Sequence, residues 1–147
     1  MVGVLTDKQI GHVLASQIVG RLGTCVDDKI YIVPVSYVYH EGYIYARAKE
    51  GMKVEMMRQN PKVCFQVDDI DNMANWRSVI VWGEYEELDD IVQQNEGVAI
   101  MSDRFEPYAM SATVAPSPHA KTGEKSLRAV VFRIKVTEKT GRYEKSY

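Results

Sequence analysis

The sequence is poor in the residues that build metal centres and disulfide frameworks. Its 147 residues include three histidines, His12, His40 and His119, and two cysteines, Cys25 and Cys64. No His or Cys pair has ligand spacing, so no metal site is expected. The cysteines lie far apart without a CxxC pair, which favours buried thiols over a disulfide. No apolar run approaches the ~20 residues that cross a bilayer. The first residues lack the pattern of a signal peptide, and no glycine directly follows Met1 to accept a myristoyl chain. A cytoplasmic protein without a membrane partner is therefore expected. The net charge of −2 lacks the basic excess of a nucleic-acid binder, so nucleic acid is not expected either. P-loop, G-x-G-x-x-G and G-x-S-x-G motifs are missing as well. The acidic pairs Asp27-Asp28, Asp68-Asp69 and Asp89-Asp90 fall at the ends of expected elements, where turn and capping roles account for them.

What is present is β-rich, in a chain of the usual size for one domain spanning 1–147. Thr6-x-x-Gln9 reads as a capping box flanked by a Leu5–Ile10 staple, and Ile10, Val13, Leu14 and Ile18 mark a helical stripe. Strand-like runs at 20–26 and 30–39 flank a turn at Asp27-Asp28-Lys29. Pro34 inside the second run implies a bulge, an edge, or a strand that something other than a strand approaches. After the turn His40-Glu41-Gly42, residues 43–49 alternate. Ile44, Ala46 and Ala48 share one face; Tyr43, Tyr45, Arg47 and Lys49 share the other. Gly51 breaks the strand, 52–59 reads as a short helix, and Asn60-Pro61 stops it.

A strand follows at 62–68 with Val63, Phe65 and Val67 on one face, then a polar loop at 69–75 and a strand at 78–86. A second long helix carries Leu88, Ile91, Val92, Val98 and Ala99 on one side, weakened by Gly97. Residues 103–126 read as a long loop, with Tyr108, Met110 and His119 as a candidate lid or pocket wall. The last strand, 127–137, turns Val130, Phe132, Ile134 and Val136 to one face, and a polar tail begins at Gly141. About six strands with outer helices suit a small closed or partly closed antiparallel barrel.

One stretch carries chemistry. In Arg47-Ala-Lys49-Glu-Gly51-Met-Lys53 a strand delivers two cations on one face, a glycine turns the chain, and a helix begins with a lysine in its first turn. Free N–H groups at a helix start favour an anion, and a guanidinium and an ammonium add charge-assisted bonds. On these residues alone, a merely solvated basic face explains the pattern better than a phosphate cradle does.

The order Gly20-Arg-Leu-Gly23-Thr, Ile32-Val-Pro-Val35-Ser-Tyr37-Val-Tyr39, Gly42-Tyr-Ile-Tyr45-Ala-Arg47, Glu50-Gly-Met-Lys53 and Asn60-Pro-Lys-Val63-Cys-Phe65 resembles the flavin-binding split-barrel family. Pyridoxamine 5′-phosphate oxidase and the nitroimidazole-resistance proteins typify that family. Asn75-Trp76-Arg77-Ser78-Val79, Phe132-Arg133-Ile134 and Gly141-Arg142 resemble the nitroimidazole branch. The resemblance covers residues 18–87 well and the last strand more loosely. It implies a mainly β fold with peripheral helices, a six-stranded antiparallel split β-barrel that forms a homodimer with FMN in the clefts between subunits. By the same resemblance Arg47, the adjoining Ala48 and Lys53 hold the FMN phosphate. Val33, Pro34 and Val35 run beside the isoalloxazine ring, and Trp76, Arg77 and Ser78 approach the flavin from the same or the partner subunit.

The implied activity is an FMN-dependent oxidoreductase that passes electrons to a small acceptor, with NAD(P)H as a possible donor. A flavin store or sensor without catalysis is the alternative, as is the same fold holding haem or a deazaflavin. Two departures qualify the resemblance. Arg47 stands where many nitroimidazole-branch members have histidine, which puts histidine-dependent chemistry in doubt. The C-terminal segment expected of a true pyridoxamine 5′-phosphate oxidase is also missing, so vitamin B6 oxidation is not expected. No residue is singled out as catalytic.

Overall fold

In the computed structural model, the described residues, 1–106 and 129–146, form eight strands and three helices. In chain order these are β1 (Val2–Val4), α1 (Asp7–Ser16), β2 (Val19–Val26), β3 (Lys29–Ser36), β4 (Val38–His40), β5 (Tyr43–Lys49), α2 (Met52–Gln59), β6 (Lys62–Asn72), β7 (Asn75–Glu87), α3 (Ile91–Phe105) and β8 (Ala129–Glu144). The strands form one antiparallel sheet in the order β3-β2-β6-β7-β8-β5-β4, with β1 added to β8. β3 and β4 are the two ends of that order, so the sheet is rolled without closing. The mainly β, antiparallel split-barrel class is as expected. The strand count is eight rather than six because two three-residue strands, β1 and β4, are added.

The local signals explain most boundaries. Thr6 caps α1 through a reciprocal box, accepting from the Gln9 backbone N–H at 3.2 Å while the Gln9 side chain accepts from the Thr6 N–H at 2.8 Å. Asp27 and Asp28 both take left-handed backbone angles, φ 50° and 64°. That is what a two-residue hairpin loop between β2 and β3 requires. Pro34 lies on β3, an edge strand, opposite Arg21 of β2. Of the three options the proline left open, the edge is the one realised.

Inside the sheet, Leu22, Val35, Ile44, Ala46, Ala48, Phe65, Val67, Val79, Val81, Phe132 and Ile134 form one core with Val13 and Leu14 of α1 and Val54 and Met57 of α2. The alternation read for residues 43–49 and 62–68 is thus present. Tyr37 closes the core beneath α1: its ring meets Phe65 edge-on at 5.0 Å, and its hydroxyl donates to the Leu14 carbonyl at 2.7 Å. On the other face of β5 and β8, Val38, Tyr45, Leu88, Met101 and Val131 form a smaller cluster under α3.

Four expectations need correction. Residues 69–75 are not a loop but two strand ends joined by a tight turn, with Asn72 opposite Asn75. Asn72 accepts from the Ala74 N–H at 2.9 Å, the side-chain turn chemistry that allows so short a connection. Residues 103–105 belong to α3. That helix buries Gly97 and Met101, whereas Ile91 and Val92 are exposed. Its glycine has a packing reason: a Cβ at Gly97 would lie 3.1 Å from Leu88 and 3.4 Å from Val131, so the helix can sit low on the sheet. Finally, Gly141 to Glu144 is not a tail. It continues β8, pairing with β1 on one side and with Val79 to Trp76 on the other. Tyr108, Met110 and His119, the lid candidates, lie outside the described residues.

Candidate functional site

The end of β5 and the start of α2 gather cations without acidic partners. Arg47 and Lys49 are exposed, and Ala48 between them is buried in the core. β5 is held by β8, with Arg47 opposite Val131 and Lys49 opposite Ala129. Two residues on, α2 begins after Gly51, whose cap position makes no side-chain hydrogen bond. Its first-turn N–H groups are thus open to an anion, and Lys53 sits among them half-buried.

Four other arginines behave differently. Arg21, Arg58, Arg77 and Arg133 each have a carboxylate within 4.0 Å. Among the described residues Arg47, Lys49 and Lys53 have none. Unpaired cations beside open helix N–H groups suit a phosphate, with the forked guanidinium able to give two parallel bonds.

The Val33–Val35 strand belongs to the same neighbourhood. Val35 is buried in the core that holds Ala46, Ala48 and Val54, and Val33 packs against it half-buried. Pro34 faces outward between them. β3 also touches β5, although the two share no ladder. Thus Val33, Val35 and Ala48 share one core and β3 touches β5, while Pro34, Arg47 and Lys53 lie on the outside of these elements.

Trp76, Arg77 and Ser78 do not join them within the chain. Trp76 is opposite Glu144 on β8, whereas Arg47 is opposite Val131 of the same strand. Thirteen residues of β8 separate those two points, roughly 40 Å of strand at ~3.3 Å per residue. Around Trp76 and Arg77 lies a separate cavity of about 500 Å³, lined also by Met1, Leu5, Gln9 and Tyr143. Polar groups there are matched to one another. Trp76 donates to Glu144 at 3.0 Å, Arg77 donates to Asp69, and Gln66 bridges Ser78 at 3.0 Å and Asp68 at 3.1 Å.

The ionic cluster around Arg58 has no signature in the sequence. Arg58 of α2 donates to both oxygens of Glu50 at 2.9 Å, and to Glu87 of β7 at 2.7 and 3.0 Å. The Tyr85 hydroxyl donates to Glu87 at 2.6 Å. The Arg58 fork holds the Glu87 carboxyl below the usual range, and burial pushes the Tyr85 hydroxyl above its own. Members eight and twenty-nine residues from Arg58 leave no local signature. Tyr143 of the Trp76 cavity was hidden for a different reason, because residues 141–144 read as a tail. No group of three or more His, Cys, Asp or Glu among the described residues could hold a metal ion, and none of their helices is long and apolar enough to cross a membrane.

A sequence model of pyridoxamine 5′-phosphate oxidase matches residues 6–143. The chain belongs to this family. A Mesorhizobium loti protein described as FAD-binding is similar over 97% of this chain and 98% of its own, at 33% identity and a TM-score of 0.75. A candidate 5-nitroimidazole antibiotic resistance protein of Bacteroides thetaiotaomicron superposes over 97% of this chain and 87% of its own, with a TM-score of 0.73. At 16% identity that likeness concerns the fold alone. An uncharacterised protein of Rhizobium meliloti is 37% identical over 87 residues, 59% of this chain. The match spans 58% of that relative's length.

Proposed function

We propose that this family member is a flavoprotein that holds FMN by its phosphate between Arg47, Lys53 and the first turn of α2. The observation that carries the reading is the gathering of Arg47, Lys49 and Lys53 at the β5–α2 junction with no acid paired to them among the described residues, the nearby Glu50 being tied to Arg58 instead. Val33, Pro34 and Val35 would flank the isoalloxazine ring, with the edge strand β3 offering backbone groups to its polar rim. The Mesorhizobium loti relative supports a flavin, and its FAD shares with FMN the phosphate that such a cradle would grip. Bound flavin would supply electron transfer from a donor such as NAD(P)H to a small acceptor. A guanidinium donates hydrogen bonds but is no proton shuttle, so Arg47 would bind and orient.

The same reading makes the protein a homodimer. Trp76, Arg77 and Ser78 are too far along β7 to reach the flavin held by their own Arg47. They would serve the flavin of the partner subunit, in a cleft between the two chains. Sedimentation of the flavin-loaded protein as a 16.7 kDa monomer would count against this arrangement.

Titration with FMN and with FAD, followed by absorption and flavin fluorescence, tests the ligand. The reading expects tight uptake of FMN; a protein that takes up neither flavin refutes it. Non-catalytic storage is a second reading, favoured by the lack of a general acid or base among Val33, Pro34, Val35, Arg47, Ala48 and Lys53. Steady oxidation of NADH or NADPH with a nitroaromatic acceptor separates the enzyme from the store.

A further inference from the structure

The turn that presents the cradle is held by few interactions. Gly51 has no side chain, its backbone is extended at φ 175°, and a Cβ there would meet only the Lys49 carbonyl at 3.8 Å. The helix cap adds no side-chain bond. Among the described residues, the side-chain tie between this turn and the rest of the protein is Glu50 to Arg58, two parallel bonds of 2.9 Å. The remaining donors of the same guanidinium reach Glu87 at the end of β7. Tyr85 steadies that carboxylate in turn. One planar group therefore fastens the turn to the barrel wall, as a five-donor fork can and a lysine cannot.

Electrostatics gives the clamp a second role. Glu50 and Glu87 are carboxylates beside a site meant for an anion. Left unpaired, both would oppose a phosphate; paired, they are turned toward Arg58.

Resting on the flavin reading above, we propose that Arg58 is a positioning residue for the phosphate site: through Glu50 it fixes the Glu50–Gly51 turn, and so the height and direction of Lys53 and the open N–H groups of α2. Arg58 touches no ligand. It acts through the turn.

The test uses the full chain, purified as apoprotein and titrated with FMN. Arg58→Met keeps the apolar stem and removes the fork. Its FMN Kd should rise about tenfold, which corresponds to about 1.4 kcal/mol. The ³¹P resonance of bound FMN should move while the flavin absorption bands stay in place. Glu50→Gln is the sharper variant, because it leaves the Arg58–Glu87 arm intact and removes a negative charge near the phosphate. If Glu50 is only a nearby charge, its removal tightens FMN binding; if it positions the turn, binding weakens and the ³¹P resonance moves. Glu50→Gln binding as tightly as wild type or tighter overturns the proposal, as does weaker binding with an unmoved ³¹P resonance. A wild-type chain that takes up no FMN overturns the flavin reading and this one with it, a result distinct from either variant outcome.

Discussion

The surroundings of the two ends of β7 treat charge in opposite ways. At its start, Trp76, Arg77 and Ser78 hand their polar groups to Glu144, Asp69 and Gln66. At its finish, Glu87 is tied to Arg58, but among the described residues Arg47, Lys49 and Lys53 of the neighbouring β5 and α2 have no acid paired to them. A matched end can hold its shape unaided. An end with surplus cations in a chain of net charge −2 is what the proposed phosphate site requires. The difference also shows why residue type alone ranks the candidates poorly: Arg77 and Arg47 are the same residue, and only the three-dimensional partners separate them.

The largest expected effect breaks the cation-rich end. Replacing both Arg47 and Lys53 by alanine should weaken FMN binding by about 100-fold or more, since each charge-assisted bond contributes about 1.5–3 kcal/mol. Stability in urea should change by less than about 0.5 kcal/mol, as for surface sites without structural partners. Unchanged FMN affinity would move the cradle elsewhere.

The next variant attacks the ladder that keeps the two ends apart. Gly83 sits where the β7–β8 register slips, between the pairs Trp82–Glu138 and Gly83–Val136. Thr137, the extra residue of the slip, donates to the Trp82 carbonyl at 3.1 Å. A Cβ on Gly83 would collide with the Lys135 carbonyl and approach Ile134 to 2.6 Å. Gly83→Ala should therefore cost about 1–3 kcal/mol in chemical denaturation. The folded fraction should bind FMN normally.

A third experiment asks whether the two ends meet across subunits. Trp76→Ala chains and Arg47→Ala/Lys53→Ala chains would be refolded together. If each flavin takes its cradle from one chain and Trp76 from the other, a mixed dimer has one site with both defects and one intact site. About half of the FMN sites in mixed dimers should recover wild-type affinity. If both sets served one site within a chain, every site would carry a defect and none would recover.

How much of this was legible depended on the range over which each residue is constrained. The Thr6 box, the Asp27-Asp28 turn and the β5 alternation are local, and the chain shows them directly. The cradle was half legible: Arg47, Gly51 and Lys53 are close in sequence, but their lack of acidic partners is a fact of the folded state. The Trp76 end was legible in residues and not in place, because the register of β7 on β8 decides how far it lies from Arg47. Gly97 and Ile91 misled for a related reason. The helical period allowed an Ile91–Val92 face, but the cleft between Leu88 and Val131 selects the face with the smallest residue. Arg58 was illegible, since its partners Glu50 and Glu87 lie eight and twenty-nine residues away.

The smallest predicted effect concerns the clamp at the finish of β7, and it is read through pH. The Glu87 carboxyl is held below its ordinary range chiefly by the Arg58 fork, with burial acting against that and the Tyr85 hydroxyl assisting. A carboxyl depressed on folding adds stability above its unfolded pKa of about 4.3 and loses it as pH falls through the lower folded value. The stability difference between wild type and Glu87→Gln should therefore be largest near neutrality and shrink in acid. Its size should stay under about 1 kcal/mol, because the pair is partly open to solvent. Melting curves between pH 7 and pH 3 measure it. A difference that grows in acid would mean that Glu87 is stabilised in its protonated form, and the clamp would then hold the turn by something other than charge.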